Sequence, residues 1–154
     1  YKARYTAGPD VPFRPFQTDK KMIKYLRYAG LAVVFAWFFL GGVTHFTNTD
    51  FFISIVPPWW PWPLFAVYAS GVFEILLALL ILWPTTRSFA GWGIIALTLA
   101  VTPANVNMWL NPEQFPEVSE TALFVRLVIQ VFLIALIWWS TRPPQAQTAE
   151  QPPT

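Results

Sequence analysis

Four apolar runs, each near the length of a membrane span, constrain this chain more than any other feature. They cover 22–43 (MIKYLRYAGLAVVFAWFFLGGV), 64–83 (LFAVYASGVFEILLALLILW), 88–110 (SFAGWGIIALTLAVTPANVNMWL) and 121–141 (TALFVRLVIQVFLIALIWWST). A hydrocarbon core of roughly 30 Å takes about 20 helical residues. Backbone groups find no water in lipid, so runs of this kind are helices. A β-barrel would show short alternating segments, and none are present. A secretory signal peptide fits the first run poorly, because the run is too long and starts too far from the N-terminus. The sequence therefore predicts an all-α fold, a bundle of four transmembrane helices.

Composition agrees. Only 12% of the 154 residues are charged and 55% are apolar. Soluble domains carry roughly 25% charged residues, and one of this length could not bury so much apolar surface. A soluble enzyme and a nucleic-acid-binding module are excluded. The net charge of +2 is too small to mark a nucleic-acid partner. Without cysteine the chain has no disulfide, catalytic thiol, iron–sulfur ligation or Cys-based zinc site. A single histidine rules out bis-His haem ligation by this chain alone.

The basic residues set a direction. Lys2, Arg4, Arg14, Lys20, Lys21, Lys24 and Arg27 precede or open the first span, Arg87 lies in the 84–87 turn, and Arg142 follows the fourth span. The connections 44–63 and 111–120 carry no Lys or Arg. The positive-inside rule places both termini in the cytoplasm. Trp59, Trp60, Trp62 and Trp109 then mark the outer interface, and Trp83, Trp92, Trp138 and Trp139 the inner one, as aromatic belts. Only Trp37 falls mid-span.

Three regions follow: an N-terminal cytoplasmic arm (1–21), the transmembrane domain (22–142) and a Pro/Gln-rich cytoplasmic tail (143–154). The composition of both ends predicts extended or disordered chain unless a partner holds them. The outer connection THFTNTDFFISIVPPWWPWP is apolar, yet Pro57, Pro58, Pro61 and Pro63 preclude a span. We expect a stiff segment in the outer interface, either an anchor or a lid over a site between the helices.

Ionisable residues inside a span are costly and point to function. Glu74 and Arg126 are the two away from the inner boundary. An ion pair between them would offset the desolvation each would face alone. Polar or small stripes lie beside them: Ser70, Glu74 and Ala78; Ala122, Arg126 and Gln130; Gly91, Thr98, Thr102 and Asn105; and Gly41, Gly42, Thr44 and His45. These predict a polar interior opening outward. Pro103 should kink the third span, with Asn105 or Asn107 satisfying the freed groups. Two roles fit Glu74, Arg126, His45, Asn105 and Gln130. One is a network that fixes helix register. The other is a pocket for a quinone ring or small sulfur oxyanion, with Arg126 on the oxygen and Glu74 or His45 moving protons. No HxxE or HxxxH spacing supports a metal site.

The stretches GGVTHF, FFISIVPPWWPWP, SGVFEILLALLILWP, TRSFAGWG and VTPANVNMW resemble the DoxX-like family of small four-helix membrane proteins. The resemblance spans roughly residues 22–141 and lands on His45, Glu74, Pro103 and Asn105 as pattern residues. It implies the cytoplasmic (inner) membrane of a prokaryote, and a link to quinol oxidation or thiosulfate:quinone oxidoreduction beside other subunits. The long arm and tail are atypical and favour a dedicated subunit role. The expectation is thus an accessory membrane subunit of a respiratory or photosynthetic complex, without a cofactor of its own. Quinone or lipid would sit at the bundle surface, and lipids and other membrane subunits would be its partners. The alternative is a DoxX-type oxidoreductase subunit with a Glu74/Arg126 pocket.

Overall fold

The computed structural model describes residues 20–142. The arm and the tail, expected to contact partners, lie outside the described residues except where the first helix begins. Helices are α1 (Lys20–Thr47), α2 (Thr49–Ile55), α3 (Pro63–Leu80), α4 (Arg87–Leu110) and α5 (Glu120–Thr141), with one 3-10 turn at Pro112–Gln114. Four of them, all but α2, are long and apolar enough to cross a membrane. The chain is an all-helical, multi-pass membrane protein, as the apolar runs predict.

Two boundaries move from the sequence expectation. The first helix does not stop at 43. Gly41 and Gly42 do not break it: the helix continues to Thr47, with the Thr44 hydroxyl and the His45 ring bonded back to the Gly41 carbonyl. The connection 44–63 is therefore not one stiff interfacial segment. Its first half is helical, ending α1 and forming α2 on either side of Asn48, and 56–62 is irregular. At the other end, α3 stops at Leu80 rather than reaching Trp83. Pro84 disfavours helix at the residue before it. Thr86 and Arg87 then fold back, donating to the carbonyls of Leu80 (2.6 Å) and Ile81 (3.0 Å), which supplies partners for the orphan carbonyls of a helix end.

Each long helix buries one stripe at helical spacing. On α1 it is Leu31, Val34, Phe38, Gly42 and His45; on α3, Val67, Gly71, Glu74 and Ala78. On α4 it is Ala90, Gly91, Ile94, Ile95, Thr98 and Met108, and on α5 Leu123, Gln130, Leu133 and Ile137. The remaining apolar surface faces outward, as lipid permits. Neighbours around the bundle are α1 with α3, α3 with α4, α4 with α5, and α5 with α1. Consequently α3 and α5 stand on a diagonal.

The core has two apolar clusters. One, built on Val34, Ala78, Ile81, Ala90, Ile94 and Ile137, fills the end where Lys24, Arg27, Arg87 and Arg142 gather. The other joins Ile55, Met108, Phe115 and Leu123 at the opposite end, with Phe51 and Phe52 of α2 packed on it. The buried polar residues His45, Glu74, Thr98 and Gln130 lie between the clusters, and there the site forms.

Candidate functional site

Close helix approach builds one wall of the site. A Cβ placed on Gly42 would lie 2.9 Å from the Gly71 carbonyl oxygen, and one on Gly71 would lie 3.1 Å from the Gly42 carbonyl oxygen. Small residues allow such contact in membranes, where apolar burial against lipid drives little. The crossing lays His45 over Gly71 and Glu74 over Gly42. His45 Nε2 comes 3.9 Å from Glu74 Oε1. His45 is 7% exposed and Glu74 8%. The His45 ring also stacks on Phe52 of α2, with centroids 3.9 Å apart. Its Nδ1 is 2.9 Å from the Gly41 carbonyl oxygen. A carbonyl only accepts, so Nδ1 carries the hydrogen and Nε2 is the atom turned to Glu74.

The opposite wall belongs to α4 and α5. Asn105 Nδ2 donates to Gln130 Oε1 at 2.8 Å. Gln130 Nε2 donates to the Thr98 carbonyl (3.2 Å) and to the Thr102 hydroxyl. Arg126 Nη2 donates to Asn105 Oδ1 at 3.2 Å. The Gln130 amide is spent in both directions, as a buried amide must be. Arg126 is exposed and keeps further N–H groups without a described acceptor.

Between the walls lies a cavity of about 600 Å³. His45, Glu74, Asn105, Arg126 and Gln130 all line it. The five residues singled out in the sequence are thus brought together. The pairing expected among them is not formed: no Glu74–Arg126 contact exists within 4.0 Å, and the carboxyl of Glu74 faces His45. Depth in the membrane suggested the pair, but α3 and α5 are diagonal, so the two residues face each other across the cavity.

One other expectation is corrected. Asn105 and Asn107 do not serve the backbone freed by Pro103. Asn105 bonds Gln130, and Asn107 Nδ2 reaches the Ile55 carbonyl at 3.4 Å, tying α2 to α4. Pro103 lies within a continuous α4 and lines the cavity. The outer connection contributes Phe52, Ile55, Val56, Pro57, Trp59 and Trp60 to the lining. The cavity also shares Trp37, Phe65 and Phe73 with the outward flanks of the helices, where they are 52%, 68% and 55% exposed.

Of the interfacial tryptophans, Trp59 and Trp62 are exposed and Trp109 packs against Phe124. Trp60 lines the cavity. Trp138 lies under the Arg142 guanidinium at 4.4 Å, with Trp92 at 4.9 Å, and the Trp139 carbonyl accepts from Arg27 at 3.1 Å. Phe52 and Trp37 were not foreseen as site residues. No sequence signal marked Phe52: seven residues along one continuous helix would set it about 10 Å from His45, and the break at Asn48 between α1 and α2 is what brings the two rings together.

A family model described as a domain of unknown function, DUF8561, matches residues 31–141, and the chain belongs to that family. No curated protein and no solved structure matches.

Proposed function

We propose that this DUF8561 chain is a membrane subunit that binds a lipid-soluble, oxygen-bearing ligand of the quinone type between its two polar walls, within a larger redox or energy-converting membrane complex. One observation carries the reading. Glu74 and Arg126 do not neutralise each other but sit on opposite sides of a cavity of about 600 Å³, each with hydrogen-bonding capacity left over. Small-molecule sites have this size and this character, mostly apolar walls with a few convergent polar groups. A small sulfur oxyanion would leave most of the apolar wall unfilled, so the quinone-type ligand fits better. The chain supplies binding groups and proton carriers, and redox centres would belong to neighbouring subunits. The DoxX-like resemblance of the sequence supports the same ligand class.

A helix-packing accessory role is the second reading. It is favoured by the Asn105–Gln130–Thr98 network, which fixes the register of α4 against α5. The two readings are compatible in one subunit. We place both termini at the cytoplasmic face, because nine of the ten basic residues fall at that end under a four-span topology, and we take the membrane to be a prokaryotic inner membrane from the DoxX-like resemblance.

The test is binding of decylubiquinol, the reduced hydroxyl-bearing form, to the detergent-purified chain. The wild type should bind saturably, and Arg126→Leu should weaken binding about tenfold, the loss expected for one charge-assisted hydrogen bond. Absence of saturable binding, or equal affinity in Arg126→Leu, would sink the pocket reading. A native gel of gently solubilised membranes tests the assembly. Migration as a small lone particle would remove the larger complex.

A further inference from the structure

We infer that the two walls read different oxygens: the His45–Glu74 wall takes a hydroxyl, and the Arg126 wall takes a carbonyl or anionic oxygen, so the ligand is a hydroxyl-bearing ring with an acceptor oxygen elsewhere. This rests on the cavity being a ligand site, and it goes beyond that reading by assigning chemistry to each side.

The geometry of the first wall sets the requirement. His45 Nε2 and Glu74 Oε1 are 3.9 Å apart. That is too far for a direct hydrogen bond. It is the right span for one bridging atom, since an oxygen about 2.8 Å from each would hold them at an angle of roughly 90°. Both residues line the cavity, so a ligand atom can occupy that place. Nδ1 is committed to the Gly41 carbonyl. A lone buried charge is expensive inside a span, so the pair is stable when one proton lies between Nε2 and the carboxyl.

Two arrangements of that proton exist. With neutral imidazole and carboxylic acid, the bridging atom must donate to Nε2 and accept from the carboxyl. With imidazolium and carboxylate, it must accept from Nε2 and donate to the carboxylate. A hydroxyl satisfies both arrangements. A carbonyl or ether only accepts, and leaves one partner unpaired. A site built on such hydrogen bonds rejects an analogue that cannot complete them.

The second wall has the opposite demand. Asn105 Nδ2 donates one hydrogen to Gln130, and the Gln130 amide is used on Thr98 and Thr102. What this wall offers the cavity is therefore donors, the second Asn105 N–H and above all the Arg126 guanidinium, which only donates. Its ligand oxygen must therefore be an acceptor.

The pair 4-hexylphenol and 4-hexylanisole tests the first wall directly, because the ether lacks the donated hydrogen. Thermal unfolding of the detergent-purified chain, followed by tryptophan fluorescence across a concentration series of each probe, yields the two affinities. The wild type should bind the phenol about tenfold more tightly than the ether, as expected when one analogue leaves a polar group unpaired. His45→Phe with Glu74→Leu should bring the two probes within about twofold. That double change keeps a ring on Phe52, and replacing both members of a buried pair by apolar residues is often tolerated. Should it fail to fold, His45→Phe alone should cut the preference by more than half, because the remaining carboxylic acid donates to phenol and ether alike. Glu74→Gln should keep the preference, since its amide still donates to the bridging oxygen. Arg126→Leu should leave the phenol-to-ether ratio unchanged. Equal binding of both probes to the wild type overturns the hydroxyl assignment while the cavity reading stands. A preference that survives in the double variant overturns it too, because the cause is then probe size. If neither probe binds the wild type, the cavity reading falls with it.

Discussion

Replacing Gly71 by alanine should separate α1 from α3 and destabilise the bundle. The added methyl would lie 2.8 Å from His45 Cβ, 2.9 Å from Phe46 Cε2 and 3.1 Å from the Gly42 carbonyl oxygen. His45 Cβ and the Gly42 carbonyl are fixed to the α1 backbone, so no side-chain rotation relieves the contact. The helices must part by about half an ångström, an overpacking cost of about 1–3 kcal/mol. Alanine recovers roughly 0.5–1 kcal/mol of helix propensity over glycine. The net loss centres near about 1 kcal/mol and is at most about 2.5, which for a chain of this size lowers the melting temperature by roughly 2–4 °C per kcal/mol. Gly42→Ala should behave alike, with Ile75 Cγ1 at 2.7 Å and the Gly71 carbonyl at 2.9 Å. Gly41→Ala is the control. Its methyl would meet only Glu74 Oε2 at 3.0 Å, the free end of a flexible side chain. It should stay close to wild type in melting while disturbing the phenol preference. The assay is tryptophan-detected unfolding in one detergent for all variants. A Gly71→Ala protein melting at or above wild type, or a Gly41→Ala protein falling as far, would refute the crossing as the source of the site geometry.

Three further outcomes are expected. Gln130→Leu strands the Asn105 amide and removes the bond that the Thr102 hydroxyl accepts, and should cost about 1–3 kcal/mol in melting experiments; an unchanged melt would make the network incidental. Arg87→Ala removes donors to the Ile81 and Leu82 carbonyls at the end of α3 and should cost about 1 kcal/mol, with a melt equal to wild type contradicting a capping role. The cysteine-free chain is a clean background for topology: Thr85→Cys should react with membrane-impermeant maleimide only from the cytoplasmic side, and Glu117→Cys only from the opposite side. The reverse pattern would invert the orientation.

The spans were legible because lipid imposes one simple demand, length with apolarity, on each helix. The candidate residues were legible for the same reason, since charge and amide groups stand out inside such runs. Lateral order was not legible. Spans two and four are apolar nearly all round, and hydropathy does not say which helix stands beside which, so Glu74 was matched with Arg126 by depth alone. The helical half of the outer connection was hidden by its prolines. Pro57 to Pro63 affect only the residues around them, whereas 49–55 carries no breaker and folds as α2.

The sequence nevertheless held the clue to the true partner. Gly42 precedes His45 by three residues, and Gly71 precedes Glu74 by three. Residues three apart share a helix face. When two helices running in opposite directions meet glycine to glycine, the side chain three positions on from each glycine lies over the other helix's glycine. The Cβ distances report this arrangement, with His45 over Gly71 and Glu74 over Gly42. The same two glycines that set the closest crossing therefore also set the 3.9 Å separation of the polar pair. Helix packing and site chemistry are here one feature. A variant that relaxes the crossing should alter the pair, and a variant that removes the pair should leave the crossing intact. That asymmetry separates a site built upon a scaffold from a salt bridge that builds the scaffold.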